Sequence, residues 1–260
     1  MTQQGIHFIG IGGVGMSGIA SIFLQKGYRI SGSDIGESDR TLSLAKNGAR
    51  ICIGHRAENI TDDVDKVVIS SAISQDNPEL VEAKKRNIKI VHRSDLLAEL
   101  FMDADCGIAV AGCHGKTTVS SMISTVLKLA GKDPTCVVGG YVKALEGNSS
   151  YGKSGLFVAE SDESDGTFLK YLPQYGVITN IDNDHMDHYA SLDAIIEAFQ
   201  LFASHISPDG GLFLCADDVI ARNLSLPEGL RTITYGIETA ADLMAEDITL
   251  VRLKLFLTAV

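Results

Sequence analysis

Short apolar runs alternate along the chain with longer amphipathic stretches. Runs at 6–9, 28–31, 66–70, 88–91, 108–111, 156–159, 176–179 and 211–215 have the length of buried strands. Stretches at 15–26, 38–47, 78–86, 94–101, 118–130, 192–204 and 217–223 carry apolar residues at helical spacing. A β-α-β-α order of this kind predicts an α/β protein of parallel sheets covered by helices on both faces. The stretch LDAIIEAFQLF (192–202) reads as helical core. Near 103–107 one helix ends and GIAVAG opens a new strand and loop, so the pattern divides into domains at 1–105 and 106–260. The chain stops inside LKLFLTAV, which looks like a strand, and a continuation is expected beyond it.

At 260 residues there is room for roughly two domains of ordinary size. Hydrophobic residues make up 45% and tryptophan is absent, so the core must be aliphatic, as buried parallel strands require. A net charge of −11 argues against a nucleic-acid binder and leaves any anionic ligand to be held by local features. The five cysteines (Cys52, Cys106, Cys113, Cys136, Cys215) form no C-x-x-C pair and read as reduced thiols of a cytoplasmic protein. No apolar segment approaches the ~20 residues that span a bilayer, so no membrane role is expected.

Two glycine-rich loops carry the candidate chemistry. The first, Gly10-x-Gly12-x-x-Gly15 with Gly13 between them, follows a strand and opens a helix, and Asp34 ends the next strand. Such glycines let a diphosphate approach a helix N-terminus, and the acid can accept hydrogen bonds from ribose hydroxyls. This motif alone does not separate NAD from a UDP-sugar, and an NAD-dependent oxidoreductase is one reading of it. VVISSAIS (67–74) runs from a strand into serines, a pattern that fits an anion contact or a helix cap equally well.

The second loop is Gly112-Cys113-His114-Gly115-Lys116-Thr117-Thr118. Val110 stands where the usual phosphate loop has its first glycine. Even so, glycines, a lysine for the phosphates and a hydroxyl for Mg²⁺ are all present. Glu160 follows a later strand, with Asp162, Glu163 and Asp165 behind it; Asn180, Asp182, Asp184, His185, Asp187 and His188 follow another. Ligands of open α/β sheets collect at such strand ends, and a metal role for Glu160 and His185 is favoured there. An oxidoreductase reading leaves GKTT and these acids unexplained.

The segments HFIGIGGVGMSGIA with SGSD, then SSAIS, GCHGKTT, AESDESDGTFL and TNIDNDHMDHY, in this order, resemble the Mur ligases. The resemblance implies an ATP-dependent, amide-forming ligase of three domains, used in peptidoglycan precursor synthesis. A Rossmann-like domain would bind the UDP-sugar, a P-loop domain would bind ATP, and a third domain would lie beyond this chain. The GIGGVGMSG version of the loop points to the family member that joins L-alanine to the lactyl carboxylate of UDP-N-acetylmuramate through an acyl phosphate. The resemblance implies that Gly10, Gly12, Gly13, Gly15, Met16, Ser17, Asp34, Ser70 and Ser71 face the UDP-sugar. It implies that residues 112–118 bind ATP, with Lys116 and His185 catalytic and with Thr117, Glu160 and His185 holding Mg²⁺. Asn180 also matches the family pattern. Cys113 departs from it, standing where threonine is common. With no third domain, the chain is expected to bind ligands without turnover. A non-catalytic nucleotide-binding module and a sister ligase adding a preformed peptide are the alternatives.

Overall fold

The structure, a computed structural model, describes residues 4–161, 167–183, 189–251 and 254–259. These fall into two compact units, one of residues 1–104 with 123–156 and one of 105–122 with 157–260. In the first, strands β1 (Gly5–Ile9), β2 (Arg29–Asp34), β3 (Arg50–Ile53), β4 (Lys66–Ile69) and β5 (Lys89–His92) form a parallel sheet in the order β3-β2-β1-β4-β5. Helices α1 (Val14–Gln25), α2 (Asp39–Lys46), α3 (Pro78–Lys85) and α4 (Arg93–Met102) connect them. Strand order reverses beside β1, which places a crevice at the carboxyl ends of β1 and β4. All five residues of β1 are buried, as a central parallel strand requires.

Local chemistry starts these helices where the pattern placed them. Ser38 and Thr41 close a reciprocal capping box on α2, with the Ser38 amide donating to Thr41 Oγ1 at 2.9 Å. Asn77 caps α3 by accepting from the Glu79 amide at 2.9 Å, and Pro78 occupies the first helical position.

β6 (Cys106–Ala111) opens the second unit and leads into α5 (Lys116–Leu129), after which β7 (Thr135–Val142) and β8 (Gly147–Ser150) form an antiparallel pair within the first unit. The second unit continues with β9 (Leu156–Glu160), β10 (Tyr175–Ile178), α6 (Leu192–Ser204), β11 (Gly211–Cys215) and the short α7 (Val219–Arg222). It ends with β12 (Thr232–Gly236), β13 (Leu243–Val251) and β14 (Lys254–Ala259). Its strands stand in the order β14-β13-β12-β11-β10-β6-β9. The pairs from β6 to β13 are parallel and the last, β13 with β14, is antiparallel. α6 is core, as its pattern predicts: Phe199 and Phe202 are fully buried and pack on Phe168 at ring distances of 5.4 and 5.5 Å.

Among the described strands, five were not legible as apolar runs. β3 (RICI) is a half-exposed edge, β7 is interrupted by Gly139-Gly140, β8 (GNSS) has no apolar residue, β12 is only half-buried, and β13 (LMAEDITLV) carries Glu246-Asp247 at its middle. The five cysteines are free thiols. Among the described residues, no helix is long and apolar enough to cross a membrane.

Candidate functional site

In the first unit the glycine loop joins β1 to α1. Gly10 takes φ +78°, a left-handed conformation that costs glycine nothing, and so turns the chain back toward β2. The Gly10 and Ile11 amides donate to the Ser33 carbonyl at 2.8 and 2.9 Å. Asp34 then accepts from the Gly12 amide through Oδ2 at 2.7 Å and from the Ile35 amide through Oδ1 at 2.8 Å. Its first task is therefore to hold the loop; a carboxylate has further lone pairs for a ribose hydroxyl. Gly13 is the N-cap of α1 and brings no side chain to it, and the first turn contains no acid, so the helix start favours an anion.

Ser70 and Ser71 follow β4 at the same edge of the sheet, and the Ile73 side chain of their turn lies beside Gly10. Ser71 Oγ is 3.1 Å from His92 Nε2, so this serine contacts the end of β5. Met16 is core, only 3% exposed, and Ser17 is buried with its hydroxyl donating to the Val14 carbonyl at 3.1 Å. The Ser17 hydroxyl keeps its acceptor lone pairs and borders a cavity, while Met16 can offer a ligand little beyond its backbone.

Two cations that sequence reading missed flank the loop. A Cβ on Gly15 would lie 2.9 Å from Arg93 Nη1, so the guanidinium rests against the loop's last glycine. Arg40 Nε donates to the Gly12 carbonyl at 2.5 Å. The only early signal for Arg93 is its place directly after a strand. Beside the loop, within this unit, lies a cavity of about 370 Å³ lined by Val14, Ser17, Arg40, Ser43, Tyr141 and Asn148. Asn148, on β8, donates to the Val14 carbonyl at 2.8 Å.

In the second unit, Gly112 directly follows β6 with φ +137°, and a Cβ there would overlap Thr179 Oγ1. Only glycine meets both constraints. Gly115, also at positive φ, precedes α5, whose first residue is Lys116. Lys116 Nζ donates to the Gly112 carbonyl at 2.7 Å, which keeps the ammonium over the loop. Thr117 Oγ1 donates to Glu160 Oε1 at 2.9 Å; Glu160 is the last residue of β9. A hydroxyl and a carboxylate this close, next to a phosphate loop, form an oxygen donor set that suits Mg²⁺. Thr118 and His114 are exposed, and His114 Nε2 is 3.8 Å from Asp182 Oδ2.

The end of β10 clamps this loop. The His114 amide donates to Asn180 Oδ1 at 2.8 Å, and Asn180 Nδ2 donates to the His114 carbonyl at 2.8 Å. Thr179 Oγ1 donates to the same carbonyl at 2.6 Å. Cys113 is buried, and its sulfur accepts from the Asp182 amide at 3.2 Å. His185, with Asp162, Glu163, Asp165, Asp184, Asp187 and His188, lies outside the described residues.

Among curated relatives, the UDP-N-acetylmuramate–L-alanine ligase of Carboxydothermus hydrogenoformans is 49% identical over 93% of this chain and 52% of its own length. The ligase of the same name from Solibacter usitatus is 50% identical over 95% and 52%. Among solved structures, the UDP-N-acetylmuramate-alanine ligase MurC of Thermotoga maritima superposes with a TM-score of 0.86 at 33% identity, over 98% of this chain and 57% of the other. The UDP-N-acetylmuramate:L-alanyl-gamma-D-glutamyl-meso-diaminopimelate ligase of Neisseria meningitides gives 0.84 at 25% identity, over 95% and 82%. The chain spans about half the length of the curated relatives it matches. Residues 5–104 match the Mur ligase family, catalytic domain, and 110–257 match the Mur ligase middle domain: the chain belongs to the Mur ligase family.

Proposed function

We propose that this chain carries the UDP-sugar and ATP sites of a ligase joining L-alanine to the lactyl carboxylate of UDP-N-acetylmuramate. Residues 1–105 form the UDP-sugar domain and 106–260 the ATP domain of this cytoplasmic peptidoglycan-precursor enzyme. One observation carries the reading. Two separate glycine-rich loops stand at the carboxyl ends of central parallel strands of two sheets in one chain, and the second sets Lys116 beside the Thr117–Glu160 pair. The relatives that share this chain's sequence at 49–50% identity bear the L-alanine ligase name.

A carboxylate is a poor electrophile because its oxygen is a poor leaving group. Transfer of the γ-phosphoryl group of ATP to the lactyl carboxylate makes that oxygen a phosphate. The alanine amine then attacks the acyl carbon, and phosphate leaves from the tetrahedral intermediate. In this chain the first-turn amides of α1, presented by the glycine loop, and Arg93 hold the sugar diphosphate. The loop of residues 112–118 cradles the ATP phosphates through the amides from Gly115 onward at the start of α5, and Lys116 offsets charge on the transferring group. Thr117 and Glu160 would hold Mg²⁺, with His185 assigned to the metal by family pattern. The ion supplies charge neutralisation at the phosphates.

The test is isothermal titration of the chain with UDP-N-acetylmuramate, with UDP-N-acetylglucosamine and NADH as comparisons. Selective binding of the muramate is expected, and NADH binding in its place would overturn the reading. A second reading, a ligase adding a preformed peptide to the same UDP-sugar, draws on the 0.84 TM-score with the Neisseria protein. The higher identity to the L-alanine ligases weighs against it. Ligation assays on the full-length protein with alanine and with tripeptide separate the two.

A further inference from the structure

Below the first cradle lies a polar cluster that nothing in the proposed chemistry uses. Glu79, in the first turn of α3, is fully buried, and so are His7 on β1 and Ser33 on β2. Ser33 Oγ donates to Glu79 Oε2 at 2.5 Å and lies 2.9 Å from His55 Nδ1. Asn59 Nδ2 donates to the other oxygen, Oε1, which the Arg56 amide also approaches at 3.4 Å. His7 Nδ1 is 2.9 Å from Ser31 Oγ, while its Nε2 stands 3.6 Å from Glu79 Oε2 and makes no hydrogen bond among the described residues. His55 Nδ1 is 3.4 Å from the same oxygen. Two imidazoles, from β1 and from the segment after β3, are thus the titratable groups facing the carboxylate.

A buried carboxylate is costly unless its lone pairs are filled, so a cluster of this kind needs a reason to persist. Its position supplies one. Ser33 is the residue whose carbonyl receives the Gly10 and Ile11 amides, and its neighbour Asp34 receives the Gly12 amide. A single point at the end of β2 therefore sets three loop amides, and Glu79 holds that point from below.

We propose that Glu79 is a positioning residue for the first cradle: through Ser33, whose carbonyl and neighbour Asp34 take up the Gly10, Ile11 and Gly12 amides, it fixes the turn that presents the first-turn amides of α1 to a diphosphate. This rests on the reading of that cradle as the UDP-sugar site. Glu79→Gln nearly keeps the volume but turns an NH₂ either toward Asn59 Nδ2, a donor facing a donor, or toward Ser33 Oγ, which must then accept and give up the bond it donates. Ser33→Ala removes only the hydroxyl. Leu100→Ala, in α4 and also buried, removes core packing from the same unit at a residue with no hydrogen bond to the cluster.

Amide hydrogen exchange and UDP-N-acetylmuramate titration are run on the chain and on all three variants. In Glu79→Gln and Ser33→Ala the amides of residues 10–12 are expected to exchange about tenfold faster while those of β4 and β5 hold. The dissociation constant is expected to rise about tenfold. Leu100→Ala should lower the melting temperature and leave the dissociation constant within about twofold. Unchanged exchange at 10–12 in both cluster variants overturns the proposal. So does an equal loss of affinity in Leu100→Ala, because the role would then be structural alone. If the parent chain binds no UDP-sugar, the functional reading fails, and the exchange pattern still decides the role of Glu79.

Discussion

Replacing Asn180 by alanine is expected to loosen the second cradle by a small, calculable amount. The substitution removes the acceptor of the His114 amide and one of two side-chain donors to the His114 carbonyl. That carbonyl keeps Thr179 Oγ1 at 2.6 Å, and the backbone bond from the Cys113 amide to the Asn180 carbonyl is unaffected. The amide is thus the group that suffers, and His114 is exposed enough for water to reach it. The net loss should be about 1 kcal/mol, the worth of one ordinary hydrogen bond. If the clamp serves to preorganise the loop, Mg-ATP should bind about fivefold more weakly. Asn180→Asp keeps the acceptor but loses the donor and sets a carboxylate beside a carbonyl oxygen and the ATP phosphates. It should cost more than tenfold in ATP affinity at a similar melting temperature. Calorimetric titration with Mg-ATP, paired with thermal melts, measures both. Adding Thr179→Val should show coupling to Asn180→Ala, since the two side chains share one carbonyl. Wild-type affinity in Asn180→Ala, or equal affinity in the two Asn180 variants, would refute the argument.

Three further outcomes follow from the geometry. Gly112→Ala should lose about 3 kcal/mol or more, because it combines a disallowed φ with an overlap on Thr179; urea unfolding decides, and a loss under about 1 kcal/mol would contradict it. Burial alone would push the Glu79 carboxyl up, but His7, Ser33 and Asn59 outweigh it and hold it down at about 2, against the usual 4.5. A depressed carboxyl stabilises fully above pH 4.5 and loses that contribution as pH falls toward about 2. Denaturant midpoints should therefore drop on the acid limb, by on the order of 3 kcal/mol in all, and Glu79→Gln should flatten it. Arg93→Ala should weaken UDP-N-acetylmuramate binding about tenfold with a shallower salt dependence, read by titration at low and high ionic strength.

The α/β architecture, the order of the main strands and helices, and both glycine loops could be read from the chain alone. Those features are local: an apolar run, a helical period, or glycines whose φ is set by their neighbours in the chain. Lys116 and Thr117 stood out because GCHGKTT is contiguous, and the structure sets them beside the Gly112 carbonyl and Glu160. Tertiary structure decided what is built from distant parts. Arg93 reaches Gly15 from another strand's end, and Asn148 reaches Val14 from a strand with no apolar residue. Asp34 is spent first on the Gly12 amide, although its spacing pointed to a ribose. Asn180 matched a pattern, but its grip on His114 needed β6 and β10 to lie side by side. Glu79 looks in sequence like any first-turn acid after Asn-Pro, favoured by the helix dipole. Only the packing of α3 beneath β1 and β2 makes it a buried anion with two imidazoles facing it. Spacing along a chain encodes the turns that neighbours share; which side chains meet across a sheet is set by which strands become adjacent.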